Sequence, residues 1–263
     1  MIKIISGWSN KGGSTFAFIR LTNALNEAGY ETTFYGPHEW HLDKCKSGLL
    51  KDFTPHEDDR VIVHFLNTPK LNVKKTILAC HEKNLYEVGK ITQFWDEVVF
   101  VNEKQRNYHF NYKGKYTCIP NLKENFNKRS EIDEDSDLFY TAGVIGSIDK
   151  NKQTHVSIQR ALRDGFEKVY IFGNVSDVDY YKKFVKPLIS NKVIEYGFIE
   201  DKEKMYSMIS EVYLSSFSEV ASLVKDECES TGTVFNGNSA TTNDNKILSN
   251  EEIIAEWVKV LEL

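Results

Sequence analysis

The sequence predicts an α/β protein of two Rossmann-like domains, each built on a parallel sheet, facing an inter-domain cleft. Three observations predict it. Short runs rich in β-branched residues alternate with amphipathic stretches, the signature of strands buried on both faces by helices. The alternation breaks at residues 121–137, where Lys, Glu, Asn, Asp and Ser displace apolar residues. It then restarts and runs to the end of the chain.

Residues 2–7 read as the first strand and 14–28 as the helix that follows. Phe16, Ile19, Leu21, Leu25 and Ala28 lie close to one helical stripe, and Gly29 stands at the C-cap. Residues 31–35 form the second strand, stopped by Gly36-Pro37. Further strands fall at 60–66, 76–80, 97–101 and 116–119. After the polar link come a strand at 138–145, a helix at 155–164 and strands at 169–173 and 193–198. A helix at 202–210, a strand at 212–215, a loop-to-helix turn at 219–230 and a short strand at 233–235 follow. The final helix, 250–261, is capped by Ser249 or Asn250 and carries Ile253, Ile254, Trp257 and Leu261 on one face. The expected domains are 1–125 and 126–263, with the last helix packing back on the first.

Composition narrows the class. With 263 residues, 41% of them hydrophobic, the chain can bury one large core or two modest ones. A net charge of -5 gives no global basic field for nucleic acid. Cys45, Cys80, Cys118 and Cys228 have no zinc-ligand or redox spacing and read as reduced, structural thiols. The N-terminus runs straight into a strand, and no window of about 18 apolar residues occurs. The expectation is a soluble cytoplasmic protein.

Ligands of open α/β sheets bind beyond the C-terminal ends of the strands, so the informative residues are those that follow strands. The first such loop, residues 8–14, holds Gly12 and Gly13 ahead of a helix N-terminus. There a phosphate or sugar can approach the backbone. His64 and His81 stand at strand ends. Either can bind a sugar hydroxyl or act as a base, and either can be a satisfied half-buried histidine. Residues 143–152 give a strand, a glycine turn and a loop with Ser147, Lys150 and Lys152, where a lysine would neutralise a diphosphate. In the second half, Glu219 precedes a helix that carries Glu227, and paired carboxylates suit the diols of a sugar and a ribose. Asp177-Val178-Asp179 reads as the acidic start of a helix rather than a metal site.

Taken in order, these pieces resemble the retaining GT-B glycosyltransferases of family 4. The opening glycine loop, the strand ending in His81, Ile119-Pro120-Asn121, the 146–152 loop and the pair Glu219 and Glu227 match in sequence order. The resemblance implies a GT-B fold, a nucleotide-sugar donor, a glycan or other hydroxyl acceptor and transfer with retention. It implies no metal and no other cofactor. It implies that Glu219 contacts the donor sugar and Glu227 the ribose, and that Lys152 binds the diphosphate. Gly12 and Gly13 would lie near the donor phosphates and His81 near the transferred sugar. Two positions depart from the pattern. Ser147 stands where the family has an arginine, so one phosphate-binding cation is missing unless Lys150 replaces it. Val220-Ala221-Ser222 stand where the family has glycines. Nucleotide-sugar epimerisation or hydrolysis, and non-catalytic nucleotide-sugar binding, are the competing expectations. Small Lys- and Asn-rich glycosyltransferases of this type resemble some encoded by bacteriophages, but the acidic balance disfavours a modified-DNA acceptor.

Overall fold

The computed structural model describes residues 1–9, 11–83, 95–128, 138–241 and 248–263. The chain divides into two units, Met1–Leu122 with Asp244–Leu263, and Lys123–Asn243. Of the expected link, residues 129–137 lie outside the described part. The preceding residues are held on the second unit: Phe126 N donates to Ser230 Oγ at 3.0 Å and Asn127 Nδ2 to Glu203 Oε1 at 3.2 Å.

The first unit opens with β1 (Ile2–Ser6), α1 (Gly13–Glu27), β2 (Thr32–Gly36) and β3 (Ser47–Leu49). It continues with β4 (Arg60–His64), β5 (Lys75–Cys80), β6 (Glu97–Phe100), α2 (Glu103–Tyr108) and β7 (Tyr116–Cys118). All seven strands are parallel, in the order β3-β2-β1-β4-β5-β6-β7. The order reverses between β1 and β4, where Ser6 pairs in register with His64. Strand β3 carries no sequence signal, because three residues that include Gly48 make neither an apolar run nor an alternation.

The buried face of α1 is rotated from the expected stripe. Thr15, Phe18, Thr22 and Leu25 are buried with Ala17, Ile19 and Leu21. Phe16 is half-buried and Ala28 is exposed. Phe18 packs between Ile4, Phe34 and Ile62, so the sheet selects it rather than Phe16.

The second unit runs β8 (Thr141–Ile145), α3 (Thr154–Arg163), β9 (Lys168–Phe172), α4 (Val178–Tyr180) and β10 (Val193–Gly197). It ends with α5 (Lys202–Ser207), β11 (Glu211–Tyr213), α6 (Leu223–Thr231) and β12 (Val234–Asn236). The five strands are parallel in the order β10-β9-β8-β11-β12, reversing between β8 and β11. The expected strand at 138–145 begins only at Thr141, because Leu138 O closes a turn on Thr141 N.

The last helix, α7 (Asn250–Leu261), buries Ile253, Trp257, Val260 and Leu261 in the first unit's core. Ser249 is its cap, and Ser249 and Glu252 form a reciprocal capping box. Arg60 holds the helix end, with Nε donating to Leu261 O at 2.6 Å.

Two glycines shape the β8 turn. Gly146 has φ +136° and Gly173 φ +155°, and a Cβ on Gly173 would stand 1.8 Å from Gly146 O. Backbone cannot yield there as a flexible side chain would. Gly173→Ala is expected to cost about 2–4 kcal/mol. Equilibrium urea unfolding of the purified variant checks this, and a loss below about 0.5 kcal/mol, the range of neutral surface changes, contradicts it.

Candidate functional site

A parallel sheet whose strand order reverses leaves a crevice beyond the C-terminal ends of the two strands at the reversal. In the second unit those strands are β8 and β11, and the loops that leave them bring Lys152 and Glu219 together. Lys152 Nζ donates to Glu219 Oε1 at 2.5 Å. Ser216 Oγ donates to the same oxygen at 2.6 Å. Glu219 Oε2 accepts no hydrogen bond from the described residues. The two loops are laced through Asn151, whose O accepts from Phe217 N at 2.7 Å and whose Nδ2 donates to Ser218 O at 3.1 Å.

The position of Lys152 follows from local chemistry. Asp149 Oδ1 accepts from Lys152 N at 2.8 Å, and Gln153 takes a left-handed conformation at φ +47° to start α3. Ser147 donates to Asp149 Oδ2 at 2.5 Å. Ser147 thus orients a carboxylate. Lys150 is exposed and pairs with Asp177 at 3.5 Å, so the structure does not bring it to Glu219. Asp177 caps α4, accepting from Tyr180 N at 3.0 Å.

Glu227 lies in the middle of α6 and is buried. Its Oε1 accepts from Lys202 and its Oε2 from the Tyr206 hydroxyl at 3.0 Å. Lys202 also reaches Glu124 Oε2 at 3.2 Å. Burial first, then the Glu227 charge, pushes the Tyr206 phenol well above its ordinary value, which keeps it a donor. Ser222, in the glycine-poor stretch after Glu219, caps α6 by accepting from Lys225 N at 3.3 Å.

In the first unit the reversal lies between β1 and β4. Gly12 is the N-cap of α1 and Gly13 its first residue. The cap makes no side-chain hydrogen bond, and no acidic residue stands in the first turn. Thr15 Oγ1 is buried there without a hydrogen-bond partner among the described residues. Such a helix start favours an anion. Asn10, in the same loop, lies outside the described residues.

His64 is a satisfied, buried histidine. Its Nδ1 lies 2.8 Å from Ser6 Oγ and its Nε2 2.9 Å from Glu82 Oε1. Ser6 is fully buried, so this relay positions groups and offers no accessible nucleophile. Burial pushes the Glu82 carboxyl up, but the hydrogen bond and charge of His64, with His81, outweigh it and hold it below its ordinary value.

His81, just beyond β5, is half-buried and stacks on Phe18 with ring centroids 4.9 Å apart. It shares a small pocket with Pro120, Asn121 and Trp257. Burial first, then the neighbouring His64, lowers its pKa from 6.5 to about 3. His81 therefore stays neutral at ordinary pH. As pH falls below 6.5 the unfolded chain takes up a proton that folded His81 refuses until about 3. The first unit should lose stability across that window, and His81→Phe should flatten the slope. Urea unfolding at pH 7 and pH 5 checks this, and an unchanged slope in the variant contradicts it.

The sequence reading missed Glu82, Asp149, Lys202, Tyr206 and Ser216. Glu82 had a signal, since it directly follows His81 at a strand end. Lys202 and Tyr206 act through long-range contacts that spacing does not encode, while Asp149 and Ser216 act on residues two or three positions away. No disulfide joins the four cysteines, and burial pushes Cys45 up to about 11 and Cys118 up to about 12. Among the described residues no group of three His, Cys, Asp or Glu side chains is placed to hold a metal ion. Among them, too, no helix is long and apolar enough to cross a membrane.

Two Rossmann-like units of parallel sheet, with polar side chains gathered where each strand order reverses, define a two-domain α/β protein of GT-B type. Solved structures share this fold at low identity. Anabaena HepE, crystallised with UDP-glucose, matches with a TM-score of 0.69 at 11% identity, over 98% of this chain and 88% of HepE. WaaG, a glycosyltransferase involved in lipopolysaccharide biosynthesis, matches with a TM-score of 0.64 at 13% identity, over 100% and 91% of the two chains. A glycosyltransferase from Rickettsia africae matches with a TM-score of 0.64 at 12% identity, over 99% and 87%. No family model matches the sequence, and none of the curated proteins matches it.

Proposed function

We propose that the protein is a cytoplasmic, metal-independent glycosyltransferase that moves a sugar from a nucleotide-diphosphate donor to a hydroxyl acceptor with retention of configuration. The observation that carries the reading is the Lys152–Glu219 pair at the strand reversal of the second sheet. A diphosphate seated there meets the Lys152 ammonium, and the open Glu219 Oε2 accepts from a donor-sugar hydroxyl. Glu227, held by Lys202 and Tyr206, takes the ribose diol.

In the reaction the acceptor oxygen bonds to C1 of the sugar on the face from which the diphosphate departs. The bonding pair leaves on the diphosphate oxygen, and the acceptor proton passes to that oxygen. Lys152 stabilises the charge that develops on the leaving group. Glu219 fixes the sugar, and the first unit carries the acceptor.

Asp149, oriented by Ser147 where a cation is expected, favours a second reading: donor binding without turnover. Product analysis with UDP-, GDP-, ADP- and CMP-sugars, with and without glycoside acceptors, separates the readings. The proposal expects a glycoside product with the donor's anomeric configuration. Free sugar alone indicates a hydrolase, and an altered sugar an epimerase. A bound donor with no product indicates a binding protein. Each of these last three outcomes overturns the proposal.

A further inference from the structure

At the strand reversal of the first sheet, two large aromatic side chains stand in solvent. Trp8 follows β1 and is 44% exposed, and Phe65 follows β4 and is 54% exposed. Their rings lie 6.2 Å apart at 74°, one a floor and the other a wall. We propose that Trp8 and Phe65 form an acceptor subsite for a pyranose ring, with the Glu82 carboxylate accepting its hydroxyls. The proposal rests on the glycosyltransferase reading and assigns the acceptor class.

Three features show that the corner is built. Phe65 is held at φ +44°, a left-handed conformation that bulky residues avoid. Strain of this kind persists only where the surroundings enforce it, and it gathers at functional sites. The enforcing contact is backbone: Gly7 N donates to His64 O at 3.0 Å. A Cβ on Gly7 would stand 2.1 Å from Phe65 O, so only glycine allows the two loops to cross so closely. Trp8 is fixed as well, since Ser6 Oγ accepts from Trp8 N at 3.0 Å and lies 2.6 Å from Trp8 O.

The surroundings select the ligand. A flat nucleobase stacks on one face and leaves a perpendicular wall unused. An acyl chain gains nothing from a carboxylate. A chair-shaped pyranose presents apolar C–H groups to both rings of a corner and turns hydroxyls toward polar groups. Glu82 is coupled to the corner through His64, whose Nε2 donates to Glu82 Oε1 at 2.9 Å and whose ring centroid lies 6.1 Å from that of Phe65. The strand reversal is where such a sheet receives ligands.

The test uses saturation-transfer NMR on the full chain. The probes are the methyl glycosides of glucose, galactose, mannose and N-acetylglucosamine, with adenosine and 1-octanol as competing classes. Trp8→Ala and Phe65→Gly are compared with wild type. Phe65→Gly keeps the positive φ, so it should melt no lower than wild type while losing the wall. At least one glycoside should receive saturation on its C–H protons. Each variant should weaken it about tenfold, the weight of a lost aromatic contact. Thermal shift by nucleotide-sugar donors, measured on the same proteins, should be unchanged. If donors shift wild type but no glycoside is saturated, the subsite is wrong and the donor reading stands. Saturation that survives in both variants, or that reaches adenosine or octanol alone, also overturns the subsite. If no donor shifts the folded protein, the glycosyltransferase reading itself fails.

Discussion

Lys152→Ala is expected to lower kcat by about 10²–10³-fold, the weight of one preorganised charge aimed at a developing anion. Lys152 is the cation that the 146–152 loop brings to Glu219, while Lys150 is engaged with Asp177. With Ser147 at the arginine position, this loop has no second basic side chain there to compensate. The fold should survive, because Ser216 still donates to Glu219 Oε1. Glu219→Gln should behave differently. It keeps an acceptor oxygen but removes the charge that orients Lys152, so KM for the donor should rise more than kcat falls. Steady-state kinetics with the identified donor distinguish the two. Activity in Lys152→Ala within about threefold of wild type contradicts the assigned role.

Glu227→Ala is expected to destabilise the second unit by about 1–3 kcal/mol, the cost of removing one acceptor from a buried, charge-assisted network. Lys202 would lose the Glu227 carboxylate, and the Tyr206 hydroxyl would lose that acceptor. Glu227→Gln should cost less, since the amide oxygen still accepts from Tyr206. Urea unfolding of both variants checks the order. Equal stability of Glu227→Ala and wild type contradicts the network. The consequence for ligand work is direct: a lowered Tm in Glu227→Ala reports the network. Only a reduced donor-induced shift reports binding.

The parts of this molecule written in local pattern were legible. The β-branched runs that became β1, β4, β5 and β8 are buried along nearly their whole length, so they needed no alternation to be recognised. The start of α7 was legible for the same reason, since a serine, a glutamate three residues on and an apolar face are all local. The rotation of α1 was not. Several apolar stripes fit that helix, and only packing against Ile4, Phe34 and Ile62 chooses Phe18. The strand ends located the candidate site residues, because topology places ligands there. Their partners were hidden. Lys202 and Tyr206 reach Glu227 from another helix, and Asp149 turns the Ser147 substitution from a missing cation into an oriented carboxylate. The exposed aromatic corner was hidden too, because the strain at Phe65 is a property of backbone that no residue type announces.

The most direct measurement is calorimetric titration of the purified protein with UDP-, GDP-, ADP- and CMP-sugars, repeated on Lys152→Ala and Glu219→Ala. The account predicts that one donor class binds. It also predicts that each variant, still folded, weakens that binding by about tenfold or more, as loss of a charge-assisted contact requires. Folded protein that binds no donor, or that binds one equally well in both variants, would contradict it.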